Sequence, residues 1–291
     1  MGLLDTLADR LDVFISDLRL WCTLPAFGIV LEMDNHLYPI SEWNRALAYL
    51  SGRPCAFSNV PEAKKYLDPK CKEVVVGNPV RESIVYADRQ KAREKLAVGD
   101  KICIVSFGGS QGAHRLNQAM ADLMAWHTKK GSEFEGKIHH IHATGKYGVE
   151  DFPQMLREKG ANFEQNPNVD IREYINDMDD CLAAADLVIC RAGASTLSEL
   201  EAAGRASILI PSPNVAENHQ YHNGMVLVNN NAAVLIEEKN LTGESLCKAV
   251  EELVSQPQKL RELGQNAQKL SMIDANERIY EELMRVCRSK K

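Results

Sequence analysis

The sequence predicts an α/β protein whose larger part is a parallel sheet wound with helices. Three observations carry that prediction. From residue 100 to 210, apolar runs of strand length alternate regularly with amphipathic helical stretches. Two glycine-bearing loops each follow a strand and open a helix. The composition, 45% hydrophobic and 25% charged over 291 residues, suffices to bury one large core or two modest ones.

The elements follow in order. Leu3, Leu4, Leu7, Leu11 and Phe14 recur at helical spacing, and the run from Leu11 to Ile15 either ends that helix or becomes a short strand. Phe27-Gly-Ile-Val-Leu31 reads as a buried strand, and Asn44-Arg-Ala-Leu-Ala-Tyr-Leu50 as a helix closed by Gly52. Short strands at Cys55-Ala-Phe-Ser58 and Glu73-Val-Val-Val76 lead into Gly77-Asn-Pro-Val-Arg81, which has the look of a hinge. Beyond it the pattern predicts strand 101–107, helix 113–127, strand 137–143, helix 150–159, strand 168–171, helix 177–184, strand 186–190, helix 196–203 and strand 206–210. The tail alternates again at Ala232–Ile236 and ends in helices from Gly243 onward.

Composition excludes several classes. The net charge is −6 with lysine and arginine scattered, which is the wrong field for a phosphate backbone, so no nucleic-acid partner is expected. Eight cysteines include no C-x-x-C pair, and Cys103 and Cys190 sit inside apolar runs, as buried thiols do in a reducing cytoplasm. No apolar stretch approaches the roughly 18 residues that span a bilayer, so any membrane contact is expected to be peripheral.

The candidate chemistry lies where strands end. Ile102-Cys-Ile-Val-Ser-Phe107 runs into Gly108-Gly109-Ser110-Gln111-Gly112, and a helix with Leu116 and Met120 facing inward follows. Backbone N–H groups of such a loop, with the positive end of the helix, suit a diphosphate. A tight packing turn would use the same glycines. The loop has neither the Gly-Lys-Ser/Thr of a Walker A motif nor G-x-G-x-x-G spacing. Leu187-Val-Ile-Cys190 then precedes Arg191-Ala-Gly-Ala-Ser-Thr196 and a helix carrying Glu199, a carboxylate able to accept from both hydroxyls of a ribose. The plainer alternative is that Glu199 only complements the helix dipole, with Ser195 or Thr196 as cap. Pro211–Asn223 reads as a polar loop at the ligand-binding edge of the sheet, with Gln220 and Asn223 as sugar contacts or as solvated amides.

Two metal readings are set aside. Asp177-Met-Asp179 has D-x-D spacing, but with Asn176 it equally suits a helix start. Of His139, His140 and His142, only His140 and His142 share a strand face, and no third ligand stands nearby. Neither a metal nor a cofactor is expected.

In this order the segments resemble the MurG family, two-domain transferases of the GT-B architecture that add N-acetylglucosamine to lipid I. Gly108-Gly-Ser-Gln-Gly-Ala113 with Arg115-Leu-Asn117, Cys190–Glu199, Asn218–Asn223 and Gly77-Asn-Pro-Val-Arg81 carry the likeness. It implies a complete C-terminal Rossmann-like donor domain over 81–291, its last helix packing back on a partial N-terminal Rossmann-like acceptor domain over 1–80. The implied activity is inverting transfer of N-acetylglucosamine from UDP-N-acetylglucosamine to undecaprenyl-linked lipid I, giving lipid II in peptidoglycan synthesis at the inner face of the cell membrane. The implied donor-binding residues are Gly108, Gly109, Ser110 and Gln111 at the diphosphate, Ile175 at uracil through its backbone, and Ala194, Ser195, Thr196, Leu197, Ser198 and Glu199 at phosphate and ribose. Gln220 would read the sugar, with Arg81 and Asn35 contributing from the hinge side and the acceptor domain.

The departures are specific. The family's first glycine loop, ending in His, and its second glycine loop have no counterpart, and the usual His-Glu-Gln-Asn stands as Glu32-Met-Asp-Asn35. The acceptor domain is therefore expected to be incomplete, no general base is named, and UDP-sugar affinity with little turnover is expected. A noncatalytic UDP-sugar-binding protein, a transferase using the same donor with another acceptor, and an epimerase of similar build remain the alternatives.

Overall fold

The computed structural model describes residues 22–24, 29–31, 55–58, 72–215 and 218–288. The expected helices near residues 3–14 and 44–50, and Asn35, lie outside the described residues. The chain divides into two compact units, Met1–Val80 with Met272–Lys291, and Arg81–Ser271.

The described part of the first unit contains a four-stranded sheet in the order β1-β2-β3-β4, formed by Cys22–Leu24, Ile29–Leu31, Cys55–Ser58 and Lys72–Val75. β1 runs antiparallel to β2, and the other pairings are parallel. β2, β3 and β4 fall on the expected strands, whereas nothing in the sequence marked β1. Gly77 follows with φ near +80°, a backbone region that disfavours any Cβ. A Cβ there would also stand 2.7 Å from that of Met272, so the glycine is required twice over.

The second unit is a doubly wound domain. Two short helices, α1 (Glu82–Val85) and α2 (Arg89–Lys95), lead into β5 (Ile102–Phe107), α3 (His114–Thr128), β6 (Ile138–Ala143), α4 (Phe152–Glu158), β7 (Val169–Arg172) and α5 (Met178–Ala184). Then come β8 (Leu187–Cys190), α6 (Ala194–Ala203), β9 (Ala206–Leu209), α7 (His219–Asn229), β10 (Val234–Leu235), α8 (Gly243–Val254) and α9 (Pro257–Leu270). The tail helix α10 (Ala275–Arg288) belongs to the first unit.

All six strands pair in parallel, in the order β10-β9-β8-β5-β6-β7. The central strands bury both faces, which is why they read as unbroken apolar runs rather than alternating ones. β5 to β7 step outward in one direction and β8 to β10 in the other. Right-handed crossovers then send the two sets of helices to opposite faces, leaving a crevice between β5 and β8.

Packing follows the sequence pattern. α3 turns Leu116, Met120, Leu123 and Met124 into the core, as their spacing predicts, and packs on α4 and α8. α8 opens with a reciprocal capping box between Thr242 and Ser245. α6 closes at Gly204 in the left-handed conformation. Cys103, Cys181 and Cys190 are buried free thiols, and burial pushes the Cys103 thiol up to about 12, leaving it protonated and unreactive.

Candidate functional site

Phe107 lies opposite Cys190 in the β5–β8 pairing, so the two glycine-bearing loops leave the sheet side by side at its carboxyl edge, across the switch point. The sequence identifies each loop, and only the strand order reveals that they are neighbours.

The first loop is held by a third. Gly109 and Gly112 take φ of 91° and 83°, which glycine alone adopts without strain. Gly112 lies so close to the segment after β6 that a Cβ would come within 2.2 Å of the Thr144 carbonyl oxygen. Gly145 returns the approach, since its own Cβ would stand 2.1 Å from the Gly112 nitrogen. Lys146 N–H donates to the Ser110 carbonyl (3.1 Å), Tyr147 N–H to that of Gln111 (3.2 Å), and the buried Asn117 amide to that of Thr144 (2.9 Å). These contacts turn the loop outward, leaving Gly109, Ser110 and Gln111 exposed, while Gly108 is half-buried against Ala113. The N-cap of α3 is Ala113, which has no side-chain acceptor, so first-turn N–H groups stay available to an anion.

The second loop repeats this arrangement with a difference from expectation. α6 begins at Ala194, two residues earlier than predicted, with Gly193 as N-cap and no side-chain cap. Ser195 and Thr196 therefore lie inside the first turn rather than capping it, and Glu199 stands in the second turn. Leu197 is buried and belongs to the core, so it can offer a ligand only its backbone. Ser195 is exposed and Ser198 half-buried.

Glu199 and Arg81, assigned separately, meet directly: Nη2 of Arg81 lies 3.3 Å from Oε1 of Glu199. Burial raises the Glu199 carboxyl above the ordinary glutamate range, and the Arg81 charge and hydrogen bond pull it partly back. A mostly buried carboxylate held beside one half-exposed cation is suited to accept hydrogen bonds from the hydroxyls of a neutral diol.

Pro211–Asn223 is only in part a loop, because α7 begins at His219 and takes up Gln220 and Asn223. The Gln220 Oε1 accepts from Ser212 N–H at 2.9 Å, so its amide nitrogen is the end that faces outward chemistry. Asn223 is fully buried with neither carboxamide atom bonded, which removes it from the exposed surface where the sequence reading had it. Ile175 is buried in the segment between β7 and α5, with no backbone hydrogen bond to a described residue.

The D-x-D pair falls at a helix start, as the helix reading expects, although Asp177 makes no side-chain cap bond there. Asp177 is the N-cap position of α5 and binds Nη1 of Arg172 at 2.5 Å, while Arg172 also grips Asp170. The histidines of β6 face into the protein, His140 and His142 on the α3 side and His139 on the other, and no cluster of three or more metal-type ligands exists among the described residues. Sequence reasoning missed Thr144–Gly145, which shapes the glycine loop, and Arg191, which ties three strand ends together. A glycine directly after β6 was the available signal for the first. For the second there was none.

Residues 103–279 match the family model for the glycosyltransferase family 28 C-terminal domain. The chain is 41% identical over 212 residues to a UDP-N-acetylglucosamine--N-acetylmuramyl-(pentapeptide) pyrophosphoryl-undecaprenol N-acetylglucosamine transferase of Desulforamulus reducens, covering 72% of this chain and 56% of that one. A transferase of the same name from Acetivibrio thermocellus is 40% identical over 230 residues, covering 79% and 60%. The chain thus spans a little over half the length of these relatives. Among solved structures, MurG of Acinetobacter baumannii superposes with a TM-score of 0.66 at 23% identity, over 88% of this chain and 66% of that one, which establishes the GT-B fold.

Proposed function

The chain belongs to glycosyltransferase family 28, and from that we propose that it binds UDP-N-acetylglucosamine and serves the transfer of N-acetylglucosamine to lipid I, the step that yields lipid II. The observation that carries the reading is the pair of uncapped helix ends, α3 and α6, opening side by side at the switch point. A leaving diphosphate needs its charge met, and two sets of backbone amides meet it without a metal.

On this reading the residues divide the donor among them. Gly108–Gln111 and Ala194–Ser198 hold the diphosphate, Glu199 the ribose hydroxyls, Ile175 the uracil edge through its backbone, and Gln220 the sugar. Arg81 orients Glu199. The 4-hydroxyl of the muramyl sugar attacks C1, UDP departs and the configuration inverts. The hydroxyl proton passes to a base that we do not assign. None of the described helices is long and apolar enough to cross a membrane. From the family reading we place the chain peripherally, on the cytoplasmic face where lipid I presents its headgroup.

Calorimetric titration with UDP and UDP-N-acetylglucosamine, followed by a lipid II assay, tests this. Ser110→Ala and Glu199→Ala are each expected to weaken UDP binding by about 1–3 kcal/mol, the cost of a lost charge-assisted hydrogen bond. Unchanged affinity in both would remove the nucleotide assignment. Binding without turnover would leave a donor-binding protein rather than a transferase. Because the Glu199 carboxyl is raised, UDP affinity should fall as the pH drops through a range above that of an ordinary glutamate, and Glu199→Gln should flatten that profile.

A further inference from the structure

Arg191 is the first residue after β8, and its side chain spans the ends of three neighbouring strands. Nη1 donates to the carbonyls of Ile210 (3.1 Å) and Pro211 (3.2 Å), just past β9. Nη2 stands in ion-pair contact with Glu238, without hydrogen-bond alignment, in the one-turn 3-10 helix (Glu238–Asn240) that follows β10. The side chains of Arg191 and Glu238 are only 16% and 11% exposed, so solvent screens the pair little. A guanidinium stays charged throughout the accessible pH range, and its planar fork fixes direction as well as distance.

What Arg191 holds is the root of the segment that carries Gln220. Ser212, next after the pinned Pro211, donates its N–H to the Gln220 Oε1. The chain of contacts runs from the loop that opens α6, through Arg191, to the main chain at 210–212, and from there to the carboxamide of Gln220. With its oxygen committed, Gln220 presents N–H donors. We propose that Arg191 is a positioning residue, which fixes the 210–212 main chain so that Gln220 meets an oxygen of the donor sugar with its amide nitrogen. It thereby couples the nucleotide-side loop to the sugar-side helix and sets the preference for a sugar-bearing nucleotide over the bare one. The inference rests on the donor-binding reading above.

Two measurements on the whole chain separate the two. The first, hydrogen exchange without ligand, concerns only the contacts. Arg191→Met is expected to speed exchange across 212–215 and 218–222 by about tenfold or more while the amides of β5 and β6 stay protected. Arg191→Lys, which keeps the charge opposite Glu238 but loses the fork, should lie between. The second is calorimetry with UDP and UDP-N-acetylglucosamine. Both variants should keep UDP affinity within about threefold while losing about tenfold of the preference for the sugar nucleotide. Gln220→Ala should cost the same preference and add little on top of Arg191→Met, as expected of residues acting in series. Unchanged exchange at 212–215 and 218–222 overturns the proposal, as does an equal loss of UDP and UDP-N-acetylglucosamine in the lysine variant. A wild-type chain that binds neither nucleotide defeats the donor reading instead, and the exchange result then judges the positioning of the segment by itself.

Discussion

Alanine at Gly112 is expected to destabilise the protein by about 3 kcal/mol and to abolish measurable UDP binding. Two costs combine. A residue with a Cβ held at φ near +83° pays about 1–2 kcal/mol for the left-handed conformation. The added methyl would also meet the Thr144 carbonyl oxygen at 2.2 Å, an atom held by the Asn117 amide, in a residue whose own N–H is tied to the Arg172 carbonyl. Relief requires the loops at 108–112 and 144–148 to part, and the outward face of Ser110 depends on their contact. Urea unfolding at unchanged slope, with a parallel titration by UDP, checks both halves. A variant of native stability and native affinity would show that the close packing of these loops does not shape the site. Alanine at Gly109 is the control. It shares the positive φ, but its Cβ meets nothing within 4 Å, so it should cost only the conformational part.

The second large effect is acid sensitivity from a buried chain of neutral groups beneath the same loop. Ser106 of β5 lies 2.8 Å from Nε2 of His140 and 2.8 Å from Nδ1 of His142, and His127 of α3 lies 3.3 Å from the other nitrogen of His140. All four are buried, and Phe152 packs its ring against His142. Neutral imidazoles satisfy this chain by alternating donor and acceptor, whereas an added proton places a charge where no carboxylate among the described residues stands within reach. Burial accordingly lowers His127 to about 4 and His142 to about 3, and holds His140 well below its ordinary value.

The sign of the pH effect follows from which state binds protons. Between about pH 6.5, where histidine titrates in the unfolded chain, and the lowered folded values, the unfolded state binds more protons. Stability is therefore full above pH 6.5 and is lost as the pH falls toward 4. At about 1.36 kcal/mol per unit, charging one of these histidines costs on the order of 3 kcal/mol, a large share of the 5–15 kcal/mol of a typical domain. Urea midpoints at pH 7.5, 6 and 4.5 should fall steeply, and His142→Gln should reduce the slope by about one proton. A wild-type midpoint that does not change over this range would mean that the chain accommodates charge.

How much was legible beforehand varies with the physics of each feature. Strands β5, β6, β8 and β9 and helices α3, α5 and α6 were readable to within two residues, because burial on both faces leaves apolar runs and burial on one leaves a helical period. β1 was not readable, being a three-residue strand that exists through its partner β2. The start of α7 was misread because Asn218-His-Gln-Tyr-His-Asn223 looks solvated, although Asn223 and Gly224 are buried. In the site, the two glycine loops and Glu199 stood out by residue type and spacing. The partners that shape them did not: Thr144 and Gly145 lie more than thirty residues along the chain from the loop they support.

The sequence by itself determined the class of fold, the order of its strands and helices, and the kinds of group that stand at the carboxyl ends of its strands. Those follow from local patterns, in which neighbouring residues report the burial and conformation of their own segment. Only the tertiary structure decided that the loops after β5 and β8 are neighbours, that Arg81 meets Glu199 across 118 residues, and that Arg191 reaches from β8 past β9 to Glu238. Strand order and the reach of a side chain across strand ends are settled by pairing and packing, whose energies depend on residues distant in sequence and leave no periodic trace along the chain.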